Sequence, residues 1–318
     1  MTRREEHVRQ YRIIFELLYR KYRICIKDIA KNLKVYPSTA SRRLKESFSL
    51  GHVTGPQIRK RSHSNTKEYV YFIKCDNPAR LYKEYINNMN ITYHAEMIGF
   101  ADQWVISNKK IKIDGDVVVE GFRSDYHYSF PPDHSWETTA RLMKEKIENF
   151  NPENYKAQGI IKTLWNRSIK WDPEYEILYR EFKYNFRSKI TPIMKKHHIS
   201  GEKIYEWIGK ISDYCTVSIS YFPETLSAYD AYLFMVDTEY EDFIIDLFSE
   251  LPTTSFFFKV SNKLFMYLHA ARYFVRSHDR QTALKTMCIP LLVEELSERR
   301  ILKSKAVSVI QFSWGKEL

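Results

Sequence analysis

At 318 residues and 44% hydrophobic composition, the chain is long enough for two to four modules that each bury a core; its nine glycines form neither common phosphate-cradling loop pattern, which argues against a nucleotide-dependent enzyme. No apolar run approaches the roughly 18 residues of a membrane span and the N-terminus is polar, so a soluble, cytoplasmic protein is expected. The net charge of +11 falls within residues 1–68, where 17 Lys and Arg stand against 6 Asp and Glu, a distribution that points to a polyanion-binding module on a neutral body.

Val8, Tyr11, Ile14, Phe15, Leu18 and Tyr22 recur at helical spacing and predict a first core-packing helix. A second helix follows over IKDIAKNLKV, with Ile26, Ile29, Ala30 and Leu33 on one side and Val35 plugging the turn. The third opens at Pro37, whose missing N–H suits a first helical turn. Its Ala40, Leu44 and Phe48 face the core, which leaves Ser38, Thr39, Ser41, Arg42, Arg43 and Lys45 for phosphates and base edges of a major groove. Two β-prone stretches beyond Gly51, around a polar tip at 62–66, predict a hairpin wing carrying Arg59, Lys60 and Arg61 to the DNA backbone. Residues 1–68 are thus expected to be a winged helix-turn-helix on double-stranded DNA.

The pattern then changes to strand (69–75), helix (77–89), two β-rich stretches (91–107 and 109–128), helix (135–150) and strand (159–165). This βαββαβ order predicts a ferredoxin-like domain over 69–167. From Pro173 three helices and a hairpin of CTVSISYF with SAYDAYLF predict a second, degenerate winged helix over 168–229. A second βαββαβ series fills 230–318, with strands near 231–238, 254–261, 262–274 and 307–314 and helices near 239–251 and 280–300. The fold class is α+β, a winged helix plus ferredoxin-like unit duplicated at an offset of about 162 residues. Residues 163–229 carry 10 Lys and Arg against 8 Asp and Glu, and the recognition-helix position holds Glu202, Glu206 and Trp207; the second winged helix therefore reads as a packing element.

A winged helix followed by a βαββαβ domain resembles the Lrp/AsnC family of transcription regulators, and VYPSTASRRLK resembles its recognition-helix segment. The resemblance implies a dimerising second domain and a small-molecule effector. The expectation is a sequence-specific transcription regulator, a homodimer on a palindrome; the runner-up is a replication initiator with tandem winged helices.

Cys25, Cys75, Cys215 and Cys288 lack metal-site spacing and read as reduced core residues. Adjacent His197 and His198 make poor joint ligands, and Asp114 and Asp116 around Gly115 fit a plain turn. No catalytic residue, metal or cofactor is expected.

Overall fold

The computed structural model describes residues 2–271 and 289–315. By their contacts the segments sort into two compact units: one joins the residues up to Lys60 with Lys170–Tyr229, the other joins Arg61–Ile169 with the residues from Asp230 onward. The architecture is α+β, a winged helix and a ferredoxin-like domain each present twice.

In the first unit, α1 (Arg3–Arg20) starts at a capping box between Thr2 and Glu5. It buries Tyr11, Ile14, Phe15 and Leu18 against Ile29, Ala30 and Leu33 of α2 (Ile26–Leu33) and Ala40 and Leu44 of α3 (Pro37–Ser49). The second copy comprises α6 (Pro173–Phe182), α7 (Ile190–His197), α8 (Gly201–Gly209) and the single turn α9 (Ile211–Tyr214). Phe186 lies beyond the end of α6 and is buried in the core.

Neither wing is the expected hairpin. Strand β1 (Val53–Lys60) instead pairs antiparallel with β7 (Cys215–Tyr221), with Val53 opposite Tyr221 and Lys60 opposite Cys215. Val53 and Cys215 are 162 residues apart, so equivalent residues occupy opposite ends of the ribbon, as a pseudo-two-fold axis requires. Gly55 has φ +89°, and a Cβ there would come within 2.6 Å of the Ser218 carbonyl oxygen, which is why glycine stands at this irregularity in the pairing. An isolated hairpin is marginal in water. Residues expected at its tip are instead held by the second unit, where Ser62 donates from its backbone N–H to Asp125 (2.7 Å) and Trp165 Nε1 donates to Ser62 Oγ (2.7 Å).

The strands of the second unit form, among the described residues, one nine-stranded sheet. Its first copy supplies β2 (Tyr69–Lys74), α4 (Pro78–Ile86), β3 (Ile91–Gly99), β4 (Gln103–Ser107), β5 (Asp116–Phe122), β6 (His127–Tyr128) and α5 (Trp136–Glu148). The second supplies β8 (Tyr229–Asp237), α10 (Glu241–Phe248), β9 (Phe256–Val260), β10 (Lys263–Ala271), a helix at Ile289–Glu298, here α11, and β11 (Ser304–Gly315). The sheet order is β5-β2-β4-β3-β11-β8-β10-β9-β6. The run β11-β8-β10-β9 is the regular ferredoxin-like order. In the first copy β5, which precedes α5, takes the edge position expected of 159–165; among the described residues that segment forms no strand of the sheet and contributes an isolated bridge of Leu164 to His63. The early part of the expected 280–300 helix and the end of the expected 262–274 strand lie outside the described residues.

Long β11 joins the copies, its first half pairing with β8 and its second half, from Ser308, with β3. One face of the sheet is an aromatic core in which Phe72 stacks on Phe265 (centroids 4.4 Å apart) and Trp104 on Phe258 (5.6 Å).

Candidate functional site at the seam of the two sheet halves

The residues expected on DNA are dispersed. Ser38, Arg42 and Lys45 are exposed on α3, and Thr39 and Ser41 are half-buried. Arg43 turns inward and is buried: Nε donates to Gln10 (2.8 Å), Nη1 to Glu46 (2.5 Å), and Nη2 lies 2.5 Å from His7 Nε2. Arg59 donates to the carbonyl of Ile58 (2.9 Å) and stands over Tyr184. Lys60 binds Glu176 at 2.6 Å above the rings of Trp171 and Tyr179, and Arg61 sits 3.6 Å from Asp125. Arg43, Lys60 and Arg61 are therefore engaged by groups of the protein, and a phosphate would have to compete with those contacts.

A different cluster forms where β3 meets β11. Along β3, Tyr93, Ala95 and Met97 enter the aromatic core, so His94, Glu96 and Ile98 emerge on the opposite, helix-bearing face. On that face Phe312 pairs with Glu96, Trp314 with His94, and Gln103 of β4 with Glu96. Helix α4 roofs this area: Tyr82 meets the His94 ring edge to face at 4.4 Å, Tyr85 at 5.9 Å, and Trp314 closes the side at 5.2 Å. Tyr82 also meets Phe312 at 5.0 Å.

His94 is fully buried, and neither ring nitrogen has a hydrogen-bond partner among the described residues. Burial pushes its imidazole down to about 4, so the ring is neutral at neutral pH and carries one donor and one acceptor. Glu96 Oε2 and Gln103 Oε1 are likewise buried without partners, although Gln103 Nε2 donates to the Pro78 carbonyl (2.9 Å). Each orphaned polar group costs roughly 1–3 kcal/mol. A buried polar group left without a partner is a candidate position for a ligand, an ion or a water.

The same face is open and apolar along the seam. Ile98, Val307, Val309 and Phe312 are all exposed, with Val309 paired to Ile98. Gly99 ends β3 at φ +141°, and a Cβ there would come within 2.6 Å of Ser308 Oγ; the two strands meet this closely only with glycine. The duplicate strand β9 lacks the cluster: its outer face carries buried Phe257 and Lys259, which pairs with Glu241.

Elsewhere the chemistry is neutralised. A cleft of about 200 Å³ at the start of α4 is lined by Lys74, Cys75, Arg80, Asp114 and Asp116, but Lys74 pairs with Asp102 and Arg80 with Asp114, each at 2.8 Å. His197 binds Glu181 at 2.7 Å. Among the described residues no group of three His, Cys, Asp or Glu could hold a metal, and no helix is long and apolar enough to cross a membrane. Of the cysteines, Cys215 is buried, Cys75 is half-buried and Cys25 is exposed; Cys288 lies outside the described residues.

His94 and Glu96 escaped the sequence reading because alternation in YHAEM marks them as the polar, outward face of a half-buried strand. Only α4 and the far end of β11, brought in from over 200 residues away, turn that face into an interior.

No family model matches the chain, and no curated protein matches it. Two solved structures do: the crystal structure of the siroheme decarboxylase NirDL, and the same enzyme in co-complex with an iron-uroporphyrin III analogue. Each is 12% identical, with a TM-score of 0.45, and the match covers 92% of this chain and 87% of theirs. The expectation of an Lrp/AsnC-type transcription regulator is corrected by this finding: both matched structures are of a siroheme decarboxylase. The same correction removes the replication initiator, the non-enzymatic reading and the partners expected with them: double-stranded DNA, an effector and a homodimer.

Proposed function

We propose that the chain is an enzyme acting on a small organic molecule held at the β3–β11 seam, with His94 as its hydrogen-bonding centre. The observation that carries this reading is a fully buried, neutral imidazole with both nitrogens unpaired, at the end of an exposed apolar strip. A neutral imidazole held this way donates to one ligand atom and accepts from another, the arrangement that stabilises a developing charge or relays a proton without carrying charge itself. Ile98, Val307, Val309 and Phe312 supply apolar contact, and Gln103 adds an acceptor. The thiols of Cys25, Cys75 and Cys215, none of them in a disulfide, suit a reducing, cytoplasmic setting.

The test is calorimetric titration of the intact protein and its His94→Phe variant with a panel of flat organic molecules, an iron-uroporphyrin among them. At least one is expected to bind the native protein and to lose tenfold or more in the variant, with circular dichroism unchanged. Equal affinities for every binder, or no binder at all, would overturn the reading.

A further inference from the structure

Resting on that site, a second observation narrows what it takes. We infer that the ligand carries an organic cation, held by Glu96 and enclosed by the rings of Tyr82, Phe312 and Trp314. Glu96 Oε2 is buried and no Lys or Arg of the described residues pairs with it, whereas its counterpart face on β9 offers an already paired lysine. A buried carboxylate oxygen without a donor calls for a cationic or hydrogen-bonding partner.

The surrounding rings answer the same demand. Aromatic faces attract cations most where water is excluded, and a carboxylate with two or three rings is the usual composition of a cage for ammonium groups. Phe312 is the most exposed of the three rings, 47% accessible, and lies directly opposite Glu96 across the strand pair. Tyr82 adds an independent sign of closeness: its phenol is pushed up by burial and by the charge of Glu96. A metal ion is a poor occupant, because among the described residues no third His, Cys, Asp or Glu joins His94 and Glu96. An anion would meet the carboxylate with no countercharge.

The experiment compares benzyltrimethylammonium, its neutral carbon isostere and phenylacetate on the intact protein, followed by protein-observed NMR. The cation is expected to bind at least tenfold more tightly than the other two. Glu96→Gln should erase the preference while the neutral isostere still binds, and Phe312→Ala, at an exposed position, should weaken the cation without affecting the fold. Equal binding of all three probes, unchanged by Glu96→Gln but lost in His94→Phe, overturns the cation and leaves the site standing. Failure of the cation to bind overturns the inference outright, and if His94→Phe alters no titration the site falls with it.

Discussion

Arg23 and Arg187 hold each other's chain segments. Arg23 donates to the carbonyls of Phe186 and Ser188, and Arg187 to those of Tyr22 and Ile24, at 2.9 and 2.8 Å. The constant spacing of 164 residues makes this a reciprocal clasp across the pseudo-two-fold axis of the first unit. Both guanidiniums are pushed down by burial, and Arg187 also by the charge of Arg23. Replacing either by alanine strands two carbonyls, and hydrogen bonds from charged donors contribute about 1.5–3 kcal/mol, partly offset here by relief of that repulsion. Arg23→Ala and Arg187→Ala are each expected to lower stability by about 1–2 kcal/mol in urea denaturation, and the double variant by more than the sum, because the repulsion is relieved only once. Additive losses would mean that the two clasps act independently.

The paired arginines of α3 should behave oppositely. Arg43 is buried among Gln10, Glu46 and His7, while the exposed side chain of Arg42 lies 3.8 Å from Glu46. Arg43→Ala is expected to lower stability by about 2 kcal/mol because it leaves buried partners unpaired, whereas Arg42→Ala should stay within about 0.5 kcal/mol. Matched denaturation curves for the two variants decide it; similar losses would deny Arg43 its interior role.

The duplication and most helices were legible because each carries its own period: Tyr11, Ile14, Phe15 and Leu18 announce α1 without reference to anything distant. What could not be read was partnership over long range. VTGPQIRK and CTVSISYF each look like half of a local hairpin, and nothing in either segment states that they pair with each other. Charge misled for a related reason: Arg43, Arg59 and Lys60 count as +3 in composition yet spend that charge on Glu46, a carbonyl and Glu176. The seam was hidden most completely, since His94 owes its burial to Tyr82 from the preceding helix and to Trp314 from the chain's last strand.

Buried neutral histidines set a pH dependence of stability. His94 and His269 are both pushed from 6.5 to about 4 by burial. Between those values the unfolded chain binds protons that the folded chain refuses, so stability falls as pH drops from about 6.5 toward 4 and is flat above. Each histidine contributes a slope of about 1.4 kcal/mol per pH unit in that window. Unfolding free energies of the native protein at pH 5, 6 and 7.5, set beside those of His94→Phe, should differ in slope by that amount. Parallel profiles would show that His94 takes up a proton in the folded state and is not the neutral group described above.

The seam itself is tested at Gly99. Its φ of +141° is strained for any L side chain, and an added methyl meets Ser308 and the Val307 carbonyl on β11, where backbone cannot yield without shifting the strand. Since Ser308 is the residue at which β11 passes from β8 to β3, such a shift would move Phe312 and Trp314 away from Glu96 and His94. Gly99→Ala is therefore expected to cost about 1–3 kcal/mol in stability and, at temperatures where the variant is still folded, to reduce ligand affinity at the seam at least as much as Phe312→Ala. The sheet halves also share the aromatic core of Phe72, Phe258 and Phe265, so the second unit should remain folded while its outer face loosens. Faster hydrogen exchange at residues 308–315 than in β2 and β4 would report that loosening; uniform protection would show that β11 does not depend on this contact.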